Sequence, residues 1–269
     1  MRWTKRLDRL LTWLGEAYIP LYAGNTAFFL LLSLFPLTSL LLALLQRTGL
    51  EQADLLRFFA QVSPEALLPL WKSLLAGLWQ VQPVPLLSVS ALTVIWSSSK
   101  GMYSLLQGLN AVDGVRETRG YLRQRALCVA CTLAMLLALV VTLLLNVYGK
   151  ALLRLLARSG GWAGRALHFS MHYLHLYSTA FLMIVFAFFY LVLPNRRQRL
   201  TRVLPGALGA ALAWNLFSSA LSLYVDHFPR AATLYGSLAL LLFSLLWLYI
   251  CISIVFYGAL LNRLLQTEL

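Results

Sequence analysis

Acidic side chains are the scarcest chemistry in this chain. Nine Asp and Glu stand against 22 Lys and Arg, and charged residues of both signs make up only 12% of the 269 positions. Soluble domains carry about 25% charge, so a water-soluble surface of ordinary composition is excluded. The carboxylates are Asp8, Glu16, Glu51, Asp54, Glu65, Asp113, Glu117, Asp226 and Glu268, and none lies paired with another inside an apolar stretch. A proton-driven pump usually holds an acid within the membrane, so that class is disfavoured. Cysteine is nearly absent too, with Cys128, Cys131 and Cys251 all inside apolar runs. Cys128 and Cys131 lack the flanks of a redox or metal pair; they read as small packing residues, and no disulfide is expected. Hydrolase signatures are missing: there is no His-Glu-x-x-His pair, no Gly-x-Ser-x-Gly elbow and no phosphate-cradling Gly-rich loop ending in Lys-Ser/Thr.

What the chain does have is hydrocarbon. Apolar residues make up 60% of it, and they collect in six stretches at 24–46, 86–108, 126–149, 171–193, 203–225 and 236–262. Each approaches the roughly 20 residues a bilayer core requires. In lipid the backbone must satisfy its own hydrogen bonds, so the expectation is an all-α polytopic membrane protein. It forms a single membrane domain over 1–269, with six transmembrane helices and additional interfacial amphipathic helices. The first twenty residues lack an apolar core with a small-residue cleavage site, so no cleaved signal peptide is expected.

Charge sets the orientation. Thirteen basic residues fall on the side of the N-terminus, the 109–125 loop, the 194–202 loop and the C-terminus, against eight on the other side. The positive-inside rule then places both termini in the cytoplasm. Residues 1–20 carry Trp3, Leu7, Leu10, Leu11, Leu14, Ala17 and Tyr18 at helical spacing, with most of the cations off that stripe, which predicts a cytoplasmic interfacial helix. Residues 47–83, with Pro64, Pro69, Trp71 and Trp79, predict one or two short helices in the outer, periplasmic interface.

The second stretch ends in TVIWSSSKGMYSLLQGLN. Ser97, Gly101, Ser104 and Gly108 form a small-residue stripe at i, i+4, i+7 and i+11, and Lys100, Tyr103, Gln107 and Asn110 form a polar stripe beside it. Small residues admit close helix approach in lipid, and polar ones bond between helices. Lys100 lies about 15 Å along the helix from Asn110. It either snorkels to the interface or offers a cation to an anionic lipid head group.

Asn215, Ser218, Ser219 and Ser222 share a face of the fifth stretch, and Tyr249, Ser253 and Tyr257 share one of the sixth. With Asn25 and Ser33 on the first, these are candidates for helix packing or for a polar path. Gly206 with Ala210, and Gly209 with Ala213, provide small-xxx-small pairs. His168, His172 and His175 recur at i, i+4 and i+7. Three imidazoles can hold zinc, but no acid lies nearby to orient them, so an aromatic-rich interface is the plainer reading and neither a metal nor another cofactor is expected.

Four segments carry a resemblance: AGNTAFFLLLSLFPL, VIWSSSKGMYSLLQGLNAVDGVRETRGYLRQRAL, YLVLPNRRQRLTRVLPGALGAALAW and LYGSLALLLFSLLWLYICISIVFYGALLNRLL. In this order they resemble the YihY/virulence factor BrkB family of bacterial inner-membrane proteins, over roughly residues 10–265. The family is often labelled ribonuclease BN, a label for which this sequence offers no metal ligands. One departure is at Gly258-Ala259-Leu260-Leu261-Asn262, where members commonly show Gly-Ala-Glu-Leu-Asn. The resemblance implies a place in the bacterial envelope.

The function expected from all of this is non-enzymatic envelope biogenesis, handling or translocating an anionic lipid of lipopolysaccharide or phospholipid type. Lys100, Arg196, Arg197, Arg199 and Arg116 are the head-group candidates, and a periplasmic or membrane protein is a potential recipient. A scaffold subunit of an envelope complex is the alternative and a membrane-bound ribonuclease a remote one; no nucleic-acid partner is expected.

Overall fold

The computed structural model describes residues 15, 17–45, 52–63, 67–79, 86–158, 174–227 and 229–267. Within them the chain is helical, without a strand. The helices are α1 (Ile19–Leu45), α2 (Gln52–Val62), α3 (Leu68–Trp79), α4 (Leu86–Asp113), α5 (Tyr121–Arg158), α6 (Leu174–Val192), α7 (Leu200–His227) and α8 (Pro229–Thr267). Each of the six apolar stretches coincides with a long helix, and 47–83 holds the short pair α2 and α3. The interfacial stripe from Trp3 to Leu14 and the residues His168 and His172 lie outside the described residues, as does the His175 side chain.

Among the described residues, three windows have the length and apolar character of a membrane crossing: Tyr121–Ala138, Leu200–Tyr224 and Leu241–Gln266. Ile19–Leu34 and Thr179–Val192 are shorter apolar segments. The helix α4 carries Ser97, Lys100, Ser104, Gln107 and Asn110, and its position explains how its polar stripe is tolerated. It lies against α1, α5 and α8, so Gly101, Ser104, Gly108 and Asn110 face protein instead of lipid. The helices α6 and α7 pack together, as the short turn between them requires.

Helix ends run beyond the apolar stretches. The 38-residue α5 continues to Arg158, so Lys150 and Arg154 sit on helix where the charge reading had a loop. Hydropathy marks where hydrocarbon ends, not where the backbone hydrogen bonds do. At the other terminus of the bundle, Ala17 and Tyr18 form a turn with Tyr18 at φ 44°, and the amides of Leu21 and Tyr22 bond to the Tyr18 carbonyl at 3.0 and 3.3 Å.

Two cores divide the interior. One gathers the start of α1, the ends of α4, α6 and α8 and the starts of α5 and α7, around Leu106, Leu109, Cys128, Tyr190, Val203 and Phe256. This is the loop end. The second lies at the opposite end and joins Leu55, Phe59, Leu67, Trp71 and Leu75 of the α2–α3 region to Leu221, Trp247 and Cys251. Trp71, expected to anchor in an interface, is only 5% exposed: it stacks on Phe59 at 3.8 Å and donates its indole N–H to Ser63 Oγ at 2.9 Å. The three cysteines are free thiols.

Candidate functional site

The loop end begins with the termination of α4. Gly114 adopts φ +67°, its amide bonds to Ala111 O at 3.0 Å, and the Val115 amide reaches back to Asn110 O at 2.9 Å. This pair of bonds across a left-handed glycine is the Schellman ending of a helix. A side chain at 114 would also strike the Arg263 guanidinium, 2.8 Å from the position of a Cβ. Arg263 itself donates to the Val112 carbonyl at 2.6 Å, satisfying an acceptor that the helix end leaves without an intrahelical partner.

From there a polar network ties three segments. Asn110 donates to Glu117 at 2.7 Å and accepts from the Asn195 amide at 2.8 Å. Arg119 grips both Glu117 oxygens, at 2.8 and 2.7 Å, and also donates to Leu193 O at 2.8 Å. The Arg119 hydrogen bonds hold the Glu117 carboxyl down to about 2, against the smaller opposing effect of its burial. Asn195 Nδ2 donates to Thr118 Oγ1 at 2.7 Å. Asp113 accepts from Gln198 at 2.8 Å and lies 3.6 Å from the Arg196 Nε. Burial nevertheless pushes its carboxyl above the ordinary aspartate range, outweighing the pull of Arg196, Arg263 and Gln198.

The α7–α8 crossing is the tightest contact. A Cβ on Gly206 would fall 2.1 Å from the Gly258 carbonyl oxygen, and one on Gly258 2.5 Å from the Tyr190 hydroxyl. Pro205 lies inside α7 and contributes no backbone donor. Beside it, the Asn262 side chain accepts from the Gly206 amide at 2.7 Å and donates to Val203 O at 3.1 Å. Asn262 thus acts toward α7 as a peptide group would. Leu260 is buried in the same apolar core, so the position where a glutamate was expected is occupied here by packing. A crevice between Leu109, Asp113, Tyr190, Pro194, Gln198, Ala259 and Asn262 is too narrow for a water molecule.

The expected head-group arginines separate into two kinds. Arg196 is half-buried and engaged with Asp113 and Gln266. Arg116, Arg197 and Arg199, with Arg123 and Arg202, are exposed, and none makes an ion pair within the described residues. Lys100 stands apart, about 20 Å along α4 from Asp113 at 1.5 Å per residue. Its Nζ is 5.3 Å from the Phe29 ring centre and 5.5 Å from that of Trp96, and the Arg125 guanidinium lies 4.9 Å from the same Trp96 ring. Arg125, from α5, was not among the candidates, because sequence spacing does not register two helices against each other. A cation over an indole gains about 0.5–2 kcal/mol.

Three of the twelve candidate path residues act within their own helices. Ser33, Ser97 and Ser253 donate to Leu30 O, Thr93 O and Tyr249 O of their own helices at 2.7, 2.7 and 2.8 Å. Ser104 bonds across to Tyr22 O at 3.2 Å, Gly101 faces α1, and Gly108 lies between Phe256 of α8 and Tyr22 of α1, so the small-residue stripe packs α4 against both helices. Asn215 bonds to Thr179 Oγ1 at 2.8 Å and Ser218 accepts from Trp247 Nε1 at 3.1 Å, joining α7 to α6 and α8. Tyr103, Gln107, Ser222 and Tyr249 are half-buried, while Asn25, Ser219 and Tyr257 are exposed. Among the described residues, no three His, Cys, Asp or Glu side chains converge as metal ligands.

Comparison with known proteins places these segments in context. The pattern described as Virulence factor BrkB matches residues 10–269. A ribonuclease-like protein of Bacillus subtilis, YfkH, is 30% identical over 244 residues, covering 91% of this chain and 89% of the relative. A UPF0761 membrane protein of Alteromonas mediterranea is 38% identical over 77 residues, 29% of this chain and 26% of its own length. One from Azoarcus is 38% identical over 85 residues, 32% and 21% respectively. No solved structure matches the chain.

Proposed function

The chain belongs to the virulence factor BrkB family of membrane proteins, and from that premise we propose that it is a non-enzymatic envelope protein that binds and handles an anionic lipid. The observation that supports this reading is the rim of exposed arginines at the loop end, Arg116, Arg123, Arg197, Arg199 and Arg202. Its neighbours Arg119 and Arg196 are already engaged by Glu117 and Asp113, so the rim adds positive charge that the described protein does not neutralise. Beside an anionic leaflet each such residue contributes about 1 kcal/mol. By the positive-inside rule the rim faces the cytoplasm of an inner membrane and both termini lie on that side.

The test is reconstitution. In proteoliposomes, fluorescent phosphatidylglycerol should exchange between leaflets faster than in protein-free vesicles, fluorescent phosphatidylcholine should not, and Arg116→Gln/Arg197→Gln/Arg199→Gln should slow the exchange. Absence of exchange, with a membrane protein co-purifying in stoichiometric amount, would replace this reading by a scaffold. The ribonuclease-like name belongs to the Bacillus relative. Here the carboxylates Asp113 and Glu117 are committed to arginines and amides, an arrangement that favours holding loops together over binding catalytic metal.

A further inference from the structure

We propose that Lys100 and Arg125, gathered around Trp96, bind the phosphate of one anionic lipid on the flank of the bundle formed by α4 and α5. The proposal rests on the lipid-handling reading for the class of its ligand, and it moves the site from the basic rim to a different place.

Three observations carry it. First, two cations from two helices converge on one ring, 5.5 and 4.9 Å from its centre, and neither forms an ion pair within the described residues. The described carboxylates at that end are occupied elsewhere, Glu117 by Arg119 and Asp113 by Arg196 and Gln198. Like charges brought together without an acid call for an anion from outside the chain. Second, the site opens outward. Trp96 is 59% exposed, and Leu92 one turn away on α4 is 71% exposed. An anion bound here would keep its polar group on the cations while apolar surface lies beside it, which suits a phospholipid and not a free ion. Third, Arg125 stands four residues into α5, about 6 Å along that helix, so the site lies close to a helix start, where a lipid head group can reach it. A phosphate diester can accept from the Arg125 fork and the Lys100 ammonium together.

Inorganic phosphate has the same recognition chemistry, so the test separates the two. Full-length protein in mild detergent is mixed with phosphatidylglycerol or with phosphatidylcholine and examined by native mass spectrometry. Wild type should retain one phosphatidylglycerol in preference to phosphatidylcholine, and millimolar inorganic phosphate should not displace it. Lys100→Gln/Arg125→Gln should weaken retention at least tenfold, while Lys100→Arg/Arg125→Lys, which keeps both charges, should preserve most of it. Where the double variant is not recovered folded, Arg125→Gln alone gives the same readout with a smaller loss.

Retention of phosphatidylglycerol by the neutral variants at the wild-type level would overturn the site. If the Arg116→Gln/Arg197→Gln/Arg199→Gln protein then lost the lipid, the functional reading would stand with its site at the rim. Equal retention of phosphatidylcholine, or displacement by inorganic phosphate, would overturn the assignment to an anionic lipid. A wild type that retained no lipid and exchanged none in vesicles would remove both.

Discussion

At the loop end, side-chain amides and arginines meet helix termini one bond at a time, whereas the α2–α3 end is closed by rings and leucines. Asn262 fits Gly206 and Val203 through a donor and an acceptor, with the backbones of α7 and α8 in contact beneath it. Phe59 and Trp71, 4% and 5% exposed, are held by stacking and burial with a single indole hydrogen bond. The difference teaches where the structure is unforgiving. A hydrogen-bonded crossing at backbone distance admits one geometry, and an unpaired buried amide costs its full desolvation. A cluster of apolar side chains can repack around a volume-conserving change.

The largest expected effect follows from that contrast. Gly206→Val should destabilise the bundle by about 3 kcal/mol or more, because overpacking here strikes a carbonyl oxygen that cannot rotate away. Little folded protein should be recovered by size exclusion in detergent, and normal recovery would break the comparison. Next, Asn262→Leu leaves the Gly206 amide and the Val203 carbonyl without their partner and should cost about 2–4 kcal/mol, read as a fall in the thermal midpoint. At the other end Trp71→Ala should cost about 3 kcal/mol, but Trp71→Phe, which keeps a ring on Phe59, about 1 kcal/mol. A Trp71→Phe loss as large as that of Asn262→Leu would show that the two ends are built alike.

The sequence made the helices legible and left much of their wiring unread. Six apolar runs announce six long helices because hydrocarbon and backbone satisfaction act locally along the chain. The same runs misplace the end of α5, since its helix continues through Lys150 and Arg154 to Arg158. Arg196 counted as one more free cation until Asp113, far away in sequence, came to lie beside it. Trp71 looked like an interfacial anchor because nothing in a single chain says which leucines will cover an indole. The serine faces looked like a path, yet a helical serine always has a carbonyl three or four residues back to bond; Ser33, Ser97 and Ser253 take that option. The segments LPGALGAALAW and GALLN were recognisable as a resemblance before their reason was visible, which is that Asn262 and Gly206 bond to each other.

The smallest expected effect sharpens the comparison by pH, because the loop end holds two carboxylates beside arginines. Glu117 is held down to about 2 by Arg119, aided by Asn110. A carboxylate lowered in the folded state contributes stability that is present above its unfolded value, near 4.5, and is lost as pH falls toward 2. Asp113 has the opposite sign: its carboxyl is raised by burial, so its charged form is disfavoured by folding and acid relieves that cost. Glu117→Gln should therefore lower the thermal midpoint by a few degrees near neutral pH and flatten the decline between about pH 5 and pH 3. Asp113→Asn should make the decline steeper, because it removes the group that opposes it. The α2–α3 substitutions should shift the midpoint without changing its pH dependence in that window. Parallel pH curves for wild type and Glu117→Gln would mean that Arg119 holds the loop through the Leu193 carbonyl alone, and that the ion pair at this end is as dispensable as an exposed one.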